Sequence, residues 1–103
     1  MSAKIFNSPA MMAVFERIAQ ERCRQEGLAR AGKFSSTCAS KIMDDNRKLR
    51  VLVEEVGEVA QEIDFLENAK GALSRAKFSG QLREELTQVA AVAVAWLESL
   101  EGK

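Results

Sequence analysis

Histidine is missing from this 103-residue chain altogether, and with it go the usual general base, the commonest metal ligand and every Ser/His or Cys/His nucleophile pair. Any chemistry must therefore fall to carboxylates. An excess of charge of one sign is missing too. Fifteen Lys and Arg balance fifteen Asp and Glu, so no global field draws in nucleic acid or an anionic membrane, and neither is expected as a partner. The longest apolar run, Val89 to Leu97, covers about half a membrane span, and the opening stretch MSAKIFNSPA carries no export or anchor signal. Cys23 and Cys38 stand fifteen positions apart without CxxC spacing, which favours free thiols in a reducing compartment over a bridge. The expected location is cytoplasmic.

What is present reads as helix. The chain is 47% hydrophobic with one proline and six glycines, too apolar for disorder, and its length suits one core, so residues 1–103 are expected to form a single all-α domain. Ser8-Pro9 is a helix start, since Ser caps free N–H groups and Pro tolerates the first helical position. Met12, Phe15, Ile18 and Ala19 then recur at helical spacing, which predicts a first helix over roughly Pro9 to Ala31, stopped near Gly32. The strongest periodicity follows, with Leu49, Leu52, Val53, Val56, Val59, Ala60, Ile63 and Leu66 on one face of a second helix that begins at Ala39 or Asp44 and ends near Ala69. Asn68 to Gly80 reads as a basic connector, and a third helix is predicted from Gln81 to Glu101 with Ser79 as its cap. In that helix VAAVAVAWL is apolar all round, including Ala91 and Ala95 on the expected outer side. A helix apolar all round must be covered all round, which predicts a helical bundle with a four-helix-type core completed by oligomerisation, as a dimer or tetramer.

The second helix also carries an anomaly. VLVEEVGEVAQEID, from Val51 to Asp64, holds five carboxylates in fourteen residues and no Lys or Arg. Glu55 with Glu58, and Glu58 with Glu62, are like-charged neighbours on a helix, costing a few tenths of a kcal/mol each. By projection, Glu55 falls at the edge of the apolar face whose centre is Val56 and Ile63, and Glu85 on the third helix lies inside an apolar sector with Gln88 on its edge. Two readings account for this. The glutamates form a solvated face, or Glu55, Glu58 and Glu85 converge on a hard divalent cation that removes their repulsion.

The motifs EEVGE at Glu54 to Glu58 and EELTQ at Glu84 to Gln88 resemble the ExxE…ExxD signature of the MazG-like all-α nucleoside triphosphate pyrophosphohydrolases, and the likeness extends over ERCRQE, LVEEVGEVAQ and LREELTQVAAVAVAWLESL. It implies a Mg²⁺-dependent enzyme, with Mn²⁺ a possible substitute, converting a (d)NTP and water to the monophosphate and pyrophosphate in nucleotide-pool house-cleaning. By the same resemblance Glu55, Glu58, Glu85 and Gln88 hold the metal and Glu54, with Glu55, serves catalysis. Lys70, Lys77 and Arg83 are then candidates for the triphosphate. Gln88 stands where the pattern has Asp, making the site one unit less negative. The alternative is a non-catalytic helical oligomer of the same fold that binds a nucleotide or a protein.

Overall fold

The computed structural model describes residues 8–34 and 36–102. The export reading, which rests on the first residues of the chain, lies outside them. Three helices follow one another, α1 (Pro9–Arg30), α2 (Asp45–Glu67) and α3 (Ala72–Leu100), with no strand among the described residues. The chain is an all-α helical bundle, and among the described residues no helix is long and apolar enough to cross a membrane.

Helix ends follow local chemistry. The Ser8 hydroxyl accepts from the Met11 N–H at 3.2 Å with Pro9 at the first helical position. At the other end of α1, Gly32 at φ 79° is donor to Ala29 O while Lys33 N–H reaches Leu28 O at 2.9 Å, the paired closure that a left-handed glycine permits. Asp44 decides the start of α2, its carboxylate accepting from Arg47 N–H at 2.8 Å. The third helix is longer than its periodicity suggests. It starts at Ala72, directly after Gly71 at φ 88°, so most of the expected connector is helical and Ser79 lies inside the helix rather than capping it. Ala72, Leu73, Arg75, Ala76 and Lys77 are good helix formers, and Gly80 is carried along because both neighbouring turns are already helical.

Helices α1 and α2 each pack on α3, which is therefore the central helix. Consequently Ala91 and Ala95, expected on the outside, are fully buried. Helix α2 meets α3 along Lys48, Leu52, Glu55, Val59, Glu62 and Leu66, all buried or half-buried. This corrects the projected face: Val56 and Ile63 are 50% and 41% exposed, as are Leu49 and Val53 to similar degrees. They form a second apolar stripe beside the first. Helix α1 departs further, since its buried residues are Arg22 and Gln25 while Met12 and Phe15 are about half exposed.

The chain is open. Its accessible surface is 7486 Å², where a compact monomer of its mass exposes about 5,800 Å². Its radius of gyration is 15.8 Å, against about 13 Å for a compact chain of this length.

Candidate metal centre

Because α2 presents Glu55 toward α3, and Glu58 follows almost one turn later, the two carboxylates straddle the side of α3 from which Glu85 projects. One oxygen from each of Glu55, Glu58 and Glu85 lies within 4.8 Å of the others. Glu58 is exposed, whereas Glu55 and Glu85 are half-buried. The Oε2 atom of Glu85 is shielded from solvent and receives no hydrogen bond, and the same holds for Glu62 Oε2. A shielded carboxylate oxygen with no donor costs free energy. Burial, reinforced by the Glu58 and Glu55 carboxylates, pushes Glu85 up to about 7, and burial followed by Glu58 raises Glu55 above the ordinary carboxylate range.

An all-oxygen set of three carboxylates is the donor chemistry of a hard divalent cation, and the unsatisfied oxygen is what such an ion would take up. In an octahedral Mg²⁺ shell adjacent oxygens sit about 3 Å apart and opposite ones about 4.2 Å, so the three side chains, within 4.8 Å of one another, would draw together around the ion. The fit is to a cation bound partly by protein and partly by water or phosphate.

The other sequence candidates lie outside this group. Gln88 turns toward α1: its Nε2 donates to Glu21 Oε2 at 2.8 Å, and its Oε1 accepts from Gln25 Nε2 at 3.3 Å. The amide thus ties α3 to α1 instead of joining the three carboxylates. Arg24 holds Glu21 below the usual carboxylate range through hydrogen bonds at 2.7 and 2.8 Å. Glu54 is exposed and lines a groove with Asp44, Arg47 and Arg50. Lys70 is exposed at the α2–α3 turn, and the Lys77 ammonium sits 5.4 Å over the Phe78 ring, about 12 Å along the helix from Glu85. Arg83 lines a groove between α1 and α3 with Arg17 and Arg24.

Sequence reasoning passed over a cavity of about 240 Å³ bordered by Glu55 and Gln88, with Arg47, Val51 and Val92 among its walls. One signal was available, since Arg47, Val51 and Glu55 are spaced four apart and share a helix edge. No family model, curated protein or solved structure matches this chain.

The raised carboxyls give a pH dependence. Glu85 and Glu55 retain protons in the native state that the unfolded chain has already released, so stability without metal is full below the ordinary value of 4.5 and falls as pH rises toward about 7. Glu21 and Glu26, held low by Arg24 and Thr37 respectively, act in the opposite sense and only at acid pH. A cation replaces those protons. The melting temperature should therefore gain little from millimolar Mg²⁺ near pH 5 and progressively more up to pH 8; a gain independent of pH would place the ion elsewhere.

Proposed function

We propose that this chain is a MazG-like nucleoside triphosphate pyrophosphohydrolase, with Glu55, Glu58 and Glu85 holding Mg²⁺ or Mn²⁺. The observation that carries this reading is the convergence of three carboxylates from two helices around a shielded, donorless oxygen of Glu85. A solvated acidic face would have no reason to turn that oxygen inward.

A bound divalent ion supplies charge neutralisation for the triphosphate and a more acidic water. The protein's own part is to fix three oxygens on rigid helices and to accept a proton from the water that attacks the α-phosphorus, as the bond to the bridging oxygen breaks and pyrophosphate leaves. Two carboxylates compete for that proton. Glu54 adjoins Glu55 but is exposed, whereas Glu62 lies about one turn from Glu58 with a shielded oxygen free to accept. A panel of ribo- and deoxyribonucleoside triphosphates, assayed for pyrophosphate release with and without Mg²⁺, tests the reading. Metal-dependent release supports it. Binding without release would favour a non-catalytic nucleotide-binding oligomer, a reading that Gln88's engagement with Glu21 supports because it leaves the fourth position of the motif outside the carboxylate group.

The same proposal includes a homo-oligomer with a four-helix core. Leu49, Val53, Val56 and Ile63 recur at gaps of four, three and seven and remain exposed, a seam suited to a second helix pair. The surface in excess of a compact monomer is larger than the roughly 800 Å² each partner gives a standard interface. Val56→Asp should convert a dimer or tetramer to an 11.4 kDa monomer in light scattering, and a wild type already monomeric at micromolar concentration would sink the proposal.

A further inference from the structure

The cavity beside the carboxylates has a direction. Arg47, Val51 and Glu55 all line it, and residues at steps of four run along one helix edge for about 12 Å. It therefore extends from an acidic end at Glu55, past Val51, Met43 and Val92, to a guanidinium at Arg47. Arg24 also borders it but is committed to Glu21. The Arg47 side chain makes no hydrogen bond or ion pair among the described residues, although its backbone N–H caps on Asp44.

Size and polarity limit the occupant. At about 240 Å³ the cavity is smaller than the roughly 300–1,000 Å³ of pockets that enclose whole drug-sized ligands, yet larger than the roughly 150 Å³ that takes benzene. A two-ring base fits, and a triphosphate has no counter-charge along the apolar middle. If the phosphates lie at the carboxylate end, the base extends toward Arg47. A guanidinium offers paired donors and no acceptor. It matches adjacent acceptors such as O6 and N7 of guanine, whereas adenine places an N6 donor beside N7 and cytosine presents an N4 donor.

Resting on the pyrophosphohydrolase reading, we propose that this cavity is the base subsite and that Arg47 selects 6-oxopurine nucleotides, those of guanine and hypoxanthine. Calorimetry with GMP, IMP, AMP and CMP in the presence of Mg²⁺, on the full chain and on Arg47→Gln and Arg47→Lys, reads the base directly without turnover. GMP and IMP should bind at least about tenfold more tightly than AMP; Arg47→Gln, whose amide matches N6 and N7 of adenine, should abolish or reverse that preference without lowering the melting temperature, while Arg47→Lys should keep part of it. Equal binding of all four by the wild type, no binding of GMP, or a preference surviving in both variants would overturn the assignment. The two readings fail separately. Hydrolysis of every triphosphate at similar kcat/KM would remove the base assignment and leave the enzyme, while selective GMP binding with no triphosphate hydrolysed would remove the enzyme and leave the subsite.

Discussion

Glu85→Gln is expected to reduce metal-dependent triphosphate hydrolysis by at least about a hundredfold and to raise the melting temperature of the metal-free protein at neutral pH. Both effects come from one arrangement. Burial and the facing Glu58 and Glu55 carboxylates hold Glu85 at about 7, so near pH 7 the native state must either keep a proton there or tolerate three close negative charges. Glutamine keeps the shape, removes the charge and brings an N–H₂ donor for the neighbouring carboxylates. The same change removes a ligand oxygen, so millimolar Mg²⁺ should no longer raise the melting temperature. Glu54→Gln and Glu62→Gln distinguish the base from the ligands: the proton acceptor loses kcat while metal affinity by calorimetry is retained. Should Glu85→Gln hydrolyse and bind Mg²⁺ like the wild type, the three carboxylates do not share an ion, and the solvated-face reading returns.

Arg22→Ala should be the most destabilising single change on α1, by about 3 kcal/mol, a loss in the range found when one partner of a buried ion pair is removed. Arg22 is only 6% exposed and donates to Glu98 on α3 at 2.5 Å, to Gln25 at 2.8 Å and to Glu26 at 2.8 Å. Glu26 in turn accepts from the Thr37 hydroxyl at 2.6 Å, so one guanidinium links the helix to the loop and to the centre of the bundle. Its carboxylate partners remain partly exposed, which moderates the penalty because water can take over some of the lost bonds. Thermal melts should shift down by on the order of 10 °C or more. A double-mutant cycle with Glu98→Gln should show coupling, and additive effects would mean that the α1–α3 tie is carried elsewhere.

Lys48 illustrates how far composition can mislead about burial. It is 1% exposed and donates to the Ser99 hydroxyl at 2.6 Å, which itself donates to Trp96 O at 2.6 Å. Nothing in a periodicity count puts a lysine at the deepest point of an interface, because such counts treat charge as solvent-seeking. Trp96 is half-buried and donates its indole N–H to Asp45 at 2.9 Å. Together these polar bonds join the start of α2 to the end of α3, beside the apolar cluster of Leu52, Val92 and Ala95.

Local chemistry in the sequence was enough for the helical class, for the cap at Ser8 and for the stop at Gly32, since each depends on hydrogen bonds within a few residues, whereas it left the start of α2 open between Ala39 and Asp44. It was also enough to single out Glu55 and Glu58, because like charges at helical neighbour positions are unfavourable wherever the helix docks, and Glu85, because a carboxylate in an apolar sector is costly unless paired. Which side of α2 meets α3 was beyond it. That helix carries two adjacent apolar stripes, and hydrophobic spacing cannot say which one a given neighbour covers; packing against α3 chose the line of Lys48, Leu52, Glu55 and Val59 and left Val56 and Ile63 exposed. The same choice set Glu55 against Glu85, while the separate packing of α1 on α3 placed Gln88 against Glu21 and Gln25. Rotation of one helix about its own axis against another is decided by the sum of contacts between them, and only the tertiary structure contains that sum.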